Sequence, residues 1–151
     1  MDKDEFKFFL LKAQSSCAYQ ERYQQEIRDK LYEWKAPREI IEPIISQLIN
    51  DNFLNEERYA KTYAGGKFRI KNWGRIKIKL ELKRRGITPY CINKGLKEIE
   101  ETAYRNTIKK LIAAKSKTLK EAHPLKRKHK IVQYLISKGF ESELVLELLE
   151  D

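Results

Sequence analysis

Arg75-Ile76-Lys77-Ile78-Lys79-Leu80-Glu81-Leu82-Lys83 decides the fold of this chain. Its apolar and polar residues alternate strictly, which is the period of a half-buried β-strand. With Phe68 and Ile70 upstream and Asn72-Trp73-Gly74 as a turn, the stretch taken alone reads as a β-hairpin with a basic outer face. An internal repeat overturns that reading. With Lys35, Gly86 and Gly139 in register, Ile27, Ile78 and Ile131 stand eight residues earlier, and Leu31, Leu82 and Leu135 stand four earlier. One residue later come Ala36, Ile87 and Phe140; five and six later, Ile40-Ile41, Cys91-Ile92 and Leu144-Val145; ten later, Ile45, Leu96 and Leu149. These separations are helical in all three copies, so 75–83 is predicted to be helix. Ile78 and Leu82 then face the core, while Ile76 and Leu80 meet a neighbour or a partner.

Outward from this stretch, helices dominate. Six Gly and four Pro in 151 residues are too few for the turns of a β-sandwich or barrel. Glu21–Trp34 carries Tyr23, Ile27, Leu31 and Trp34 on one face, and Pro37 opens the next helix, which runs to about Leu48. Asn55 reads as an N-cap with Glu56 and Glu57 in the first turn, and Gly65-Gly66 as the end of that helix. Lys67, Arg69 and Lys71 then fall in an exposed connection. Thr88-Pro89 opens a helix bearing Ile92, Leu96 and Ile99. Tyr104, Ile108, Leu111 and Ile112, then Ile131 and Leu135, then Leu144, Val145, Leu146 and Leu149 mark the rest. The predicted fold is all-α, three tandem three-helix repeats (1–50, 51–100 and 101–151) stacked into an elongated, curved rod.

Charge points to a polyanion. The chain carries 32 Lys+Arg and 22 Asp+Glu, net +10. The excess sits in two blocks: residues 67–94, with Glu81 the sole acid, and 109–130, with Glu121 the sole acid. Such clustering is self-repulsive in a compact state, and an anionic partner relieves it. The candidate binding residues are Lys67, Arg69, Lys71, Trp73, Arg75, Lys77, Lys79, Lys83, Arg84 and Arg85, with Lys109, Lys110, Lys126, Arg127 and Lys128 as a secondary set. Lysine and arginine neutralise phosphates and release counterions, and an interleaved Trp73 or Phe68 offers a face to a base, although Trp73 beside a helix start is also placed to be a core staple.

Chemistry of other kinds finds little support. His123 and His129 lack partners at ligand spacing for zinc, Cys17 and Cys91 read as small apolar core residues, and no phosphate-loop, nucleophile-elbow or HExxH motif occurs. No catalytic, cofactor or metal site is predicted. No apolar run approaches a membrane span, the acidic start Met1-Asp2-Lys3-Asp4-Glu5 is unlike a secretory signal, and two distant cysteines fit a reducing compartment. A cytoplasmic, monomeric binding protein is expected.

Three stretches carry a resemblance: Leu54-Asn55-Glu56-Glu57-Arg58-Tyr59-Ala60, then Gly74 through Ile87, then Leu135-Ile136-Ser137-Lys138-Gly139-Phe140. Together they resemble the RecX family from about residue 8 to the end, most specifically in the middle repeat. The departures are Glu56, where the family commonly has Asp, and a Lys115–Lys130 segment longer and more basic than a simple repeat. The resemblance implies three three-helix repeats and a non-enzymatic protein that binds the RecA recombinase filament on DNA. It also implies inhibition of RecA's strand exchange, ATP hydrolysis and coprotease activities. Because the two basic blocks flank an apolar repeat joint fit for a protein groove, single- or double-stranded DNA is expected to bind only weakly to the protein alone. The basic blocks by themselves equally fit a stand-alone helical nucleic-acid-binding protein.

Overall fold

A computed structural model describes residues 2–150, and all its regular structure is helical. In chain order the helices are α1 (Lys3–Tyr19), α2 (Gln24–Glu33), α3 (Arg38–Asn50), α4 (Glu56–Lys71), α5 (Arg75–Arg84), α6 (Pro89–Leu96), α7 (Glu101–Thr118), α8 (Pro124–Ser137) and α9 (Ser142–Leu149). They group by threes. Residues 75–84 are helix, as the repeat register requires and the alternation alone does not.

The register point of each repeat is a helix terminator. Lys35, Gly86 and Gly139 all adopt left-handed backbone, with φ of 62°, 78° and 96°. In each copy the next amide donates back to the carbonyl five residues earlier: Ala36 to Leu31 at 3.0 Å, Ile87 to Leu82 at 3.1 Å, Phe140 to Leu135 at 3.1 Å. This is the Schellman stop, which pairs otherwise orphaned carbonyls and turns the chain into the third helix. Around it Ile27, Ile78 and Ile131, and Leu31, Leu82 and Leu135, are all buried. Beyond it Ile92 and Val145 are buried while Cys91, expected on the buried stripe, is only half-buried. Ile76 and Leu80, at 55% and 47% exposure, stay on the surface, so the strand-like alternation of α5 comes from two apolar residues that the fold leaves uncovered.

Asn55 caps α4, its Oδ1 accepting from the Arg58 amide at 2.9 Å, and Thr88 caps α6. The expectation for Gly65-Gly66 fails: α4 continues through both glycines to Lys71, and Asn72, left-handed at φ 55°, ends it instead. Continuation buries Phe68 against Tyr104, ring centroids 5.8 Å apart, burial that a helix ended at Gly66 would forgo. Lys67, Arg69 and Lys71 therefore lie on the last turns of a helix and not in a connection.

Two cores result. Repeats two and three share one, through Ile78, Leu82, Tyr104, Ile108, Ile131, Leu135 and Phe140; repeat one has its own, through Phe9, Ala13, Ile27, Leu31, Ile40, Ile44 and Leu48. The joint between repeats two and three is close. Gly74 N–H donates to the Lys138 carbonyl at 2.8 Å, Ile76 N–H to that of Gly139 at 3.0 Å, and a Cβ on Gly74 would lie 2.3 Å from the Gly139 backbone. The accessible surface, 9688 Å² for 18.0 kDa, exceeds the roughly 8,000 Å² of a compact monomer that size, as an elongated repeat stack must.

Candidate nucleic-acid interface

Where repeat one meets repeat two, a groove of about 600 Å³ opens between the start of α2 and the outer face of α4. Repeat one contributes Glu21, Tyr23 and Glu26; repeat two contributes Tyr59, Tyr63, Gly66, Lys67, Ile70, Lys71 and Arg85. The α4 residues recur at three- and four-residue steps, so one helix face forms the floor. Tyr23, Tyr59, Tyr63 and Trp73 make a continuous aromatic row, successive centroids 5.4, 5.9 and 6.4 Å apart.

The cations here are held by ring faces. Lys67 Nζ lies 4.9 Å from the Trp73 ring centroid and 5.5 Å from that of Tyr63, and Lys77 Nζ lies 4.4 Å from Trp73. Arg85 sits over Tyr63 at 4.6 Å and donates to its hydroxyl at 2.7 Å. Burial raises the pKa values of the Tyr59 and Tyr63 phenols, so both rings are neutral at physiological pH. Neutral rings position a cation without cancelling its charge, which a carboxylate would do. Among the described residues, none of the ion pairs includes Lys67, Lys71 or Lys77. Of the two groove carboxylates, Glu26 pairs with Arg22 at 3.0 Å, and Glu21 pairs with Arg58 at 2.6 Å through Oε2 while its Oε1 is buried without a hydrogen-bond partner among the described residues.

The other candidate residues divide. Arg69, Lys79 and Lys83 are exposed and bear no ion pair among the described residues, whereas Arg84 pairs with Glu81 at 2.5 Å and Arg85 approaches the same carboxylate at 3.7 Å. Arg75 is committed to the fold. It bonds Glu141 at 3.0 Å and Glu101, stacks 3.8 Å over Tyr104, and its backbone amide donates to the Tyr104 hydroxyl at 2.9 Å. Arg127, placed in the second basic block by sequence, likewise clasps the end of α7, donating to the carbonyls of Leu119 at 3.0 Å, Glu121 at 3.1 Å and Ser116. That clasp accommodates the longer third repeat. Lys109, Lys110 and Lys126 remain exposed, and Lys128 reaches Glu150 at 3.5 Å. Trp73 is half-buried against the core shared by repeats two and three and edges onto Tyr63, which makes it a core staple beside the groove. The sequence set Tyr23 on an apolar helix face but did not point to the groove; Tyr59 is in the core and Tyr23 and Tyr63 pack against it, and all three also line the opening. No group of three or more His, Cys, Asp or Glu among the described residues is placed to hold a metal, and no described helix is long and apolar enough to cross a membrane.

Comparison with known proteins decides the family. The model of the second three-helix domain of RecX matches residues 55–96, and that of the third matches 103–149, together more than half of the chain. The chain belongs to the RecX family. Its similarity extends to the regulatory protein RecX of Bacillus cereus (strain B4264), 30% identical over 93% of this chain and 52% of that one, and to that of Bacillus cytotoxicus, 29% identical over the same shares. The chain spans about half the length of these curated RecX relatives. The crystal structure of RecX from Lactobacillus salivarius superposes with a TM-score of 0.88 at 23% identity, covering 97% of this chain and 96% of that one. A second RecX crystal structure gives 0.89 at 24% identity, over 98% and 73%. These two establish the shared fold. Within the RecX domains, the matched span of repeat two contains the groove's α4 floor and its Arg85.

Proposed function

We propose that this chain binds the RecA recombinase filament on DNA and lowers its strand-exchange, ATPase and coprotease activities, acting by binding and not by catalysis, as a monomer in the cytoplasm. The observation that carries this reading is RecX membership across the second and third three-helix domains. Its geometric support is the pair of ring-held lysines, Lys67 at the first repeat joint and Lys77 on α5, that bear no ion pair among the described residues. Charges left uncancelled attract phosphates or partner carboxylates over a distance of about a Debye length, roughly 8 Å at physiological salt. Arg69, Lys71 and Lys77 are the residues assigned to that polyanion contact, and Arg75 and Arg127 are assigned to the fold.

The test is RecA's ATP hydrolysis with DNA in excess, so that competition for DNA cannot explain an effect. The chain should slow hydrolysis, and joint reversal of Arg69, Lys71 and Lys77 to Glu should raise the concentration needed by about tenfold or more. Reversal of the exposed Arg69 and Lys71 alone should leave the melting temperature nearly unchanged, since exposed charges contribute little to folding. Tight binding to naked DNA with no effect on RecA would instead establish a stand-alone nucleic-acid-binding protein.

A further inference from the structure

We infer that the groove at the first repeat joint seats one unpaired nucleotide of a single-stranded DNA, its phosphate against Lys67 and Lys71 and its base over the bare backbone of Gly66, between Tyr63 and Ile70; this deepens, and rests on, the polyanion reading above. The first support is Gly66. Mid-helix glycine costs roughly 0.5–1 kcal/mol relative to alanine, and a glycine kept there ordinarily has a packing reason. Gly66 has none within the chain: its neighbours continue α4 on both sides, its φ is not left-handed, and a Cβ built on it meets nothing within 4 Å. Gly95, on α6, differs, since a Cβ there would lie 2.6 Å from the Ala60 carbonyl oxygen. Gly66 lines the groove, flanked on α4 by Tyr63 one turn before and Ile70 one turn after. The bare backbone leaves room for a flat ring in the groove, and Ile70, 78% exposed, extends an apolar rim that nothing in the chain covers.

The second support is the choice of partner for the cations. Lys67 is aligned by Tyr63 and Trp73 at 5.5 and 4.9 Å, so it is ordered in advance while its charge remains available to an anion; Arg85, over Tyr63 and Tyr23, shares its charge with Glu81 at 3.7 Å. Shape is the third. A concave opening of about 600 Å³ lies in the range of small-ligand clefts and admits a nucleotide that has left its stack. A duplex presents its phosphates on a convex cylinder with the bases paired inside, and cannot bring a base to Gly66 and Tyr63.

Fluorescence anisotropy with three labelled probes tests this: an oligothymidine of about 15 nucleotides, an abasic oligomer of the same length, and the corresponding duplex. The oligothymidine should bind about tenfold more tightly than the abasic strand, which keeps the phosphates and loses the stacking. Lys67→Ala should weaken both single strands alike. Gly66→Leu is the decisive variant: it should raise the melting temperature, because leucine is the better helix former, and yet drop oligothymidine affinity to the abasic level. A loss of binding in a stabilised protein is not misfolding. Equal affinity for the oligothymidine and abasic strands overturns the proposal, as does a Gly66→Leu variant that melts lower or binds oligothymidine as before. A chain that inhibits RecA but treats both strands alike loses this inference and keeps the proposed function; preference for bases without any effect on RecA does the reverse.

Discussion

Three residues at one register position face three different physical situations. Lys35, Gly86 and Gly139 all take left-handed backbone at the repeat joint. For Lys35 the conformation crowds Cβ against the carbonyl, a strain of roughly 1–2 kcal/mol that glycine escapes at some entropic cost. Lys35→Gly should therefore stabilise the protein by about 1 kcal/mol and raise its melting temperature by about 2–4 °C. Gly86 has open space around it, so Gly86→Ala should cost only the backbone strain, about 1 kcal/mol. At Gly139 a Cβ would stand 2.4 Å from that of Lys77 and 2.7 Å from its backbone nitrogen, across the joint with α5. Gly139→Ala should cost about 3 kcal/mol or more, because backbone and not a flexible tip must move. Thermal unfolding of the three variants checks the order, and equal effects would mean that the left-handed turn alone decides them.

At the scale of the element, α5 shows why a strand pattern folds as a helix. Its residues are good helix formers, Gly74 opens it and the Schellman turn at Gly86 closes it, and its buried pair Ile78 and Leu82 is spaced by four. A strand would put Ile76, Ile78, Leu80 and Leu82 on a single face. In the helix, Leu80→Ala should cost under about 0.5 kcal/mol and Leu82→Ala about 2–5 kcal/mol. Denaturant unfolding that found the two equal would count against the helix. The same register identified the buried pairs before the joint in all three repeats, while Ala36, Cys91, Leu96 and Leu149 after it are only half-buried; Gly65-Gly66 misled, since a helix stop signal is local whereas the burial of Phe68 against Tyr104 joins residues 36 apart.

Across the whole molecule, the joint between repeats two and three is tied by charge as well as packing. The hydrogen bond from Arg75 lowers the pKa of the exposed Glu101 carboxyl below its usual value near 4.5. A carboxylate depressed in the folded state contributes stability that is complete above the unfolded pKa and is lost as pH falls through the folded one. The stability gap between the natural chain and Arg75→Met should thus be widest above about pH 5 and narrow as the pH drops below 4.5, read by melting across that range. A gap that widens with acid would remove the Arg75–Glu101 pair from the account. Repeat one, with its own core, meets repeat two through Glu21–Arg58, Tyr23–Tyr59 and Arg85, so the joint holding the groove is the more polar of the two.

The sequence by itself determined the helical repeat, the register that aligns its three copies and the basic character of repeat two, because each rests on periodicity or on charge, and both are properties of residues near one another in the chain. The family resemblance was legible for the same reason, in motifs six to fourteen residues long. Only the tertiary structure decided which cations are free. Arg75 and Arg127 look like their neighbours in sequence, but carboxylates and helix-end carbonyls up to 66 residues away engage them, while Lys67 and Lys77 meet neutral rings. The groove is likewise a product of two repeats meeting: Tyr23 and Lys71 stand 48 positions apart in the chain, and no local pattern records that folding sets them on the same opening.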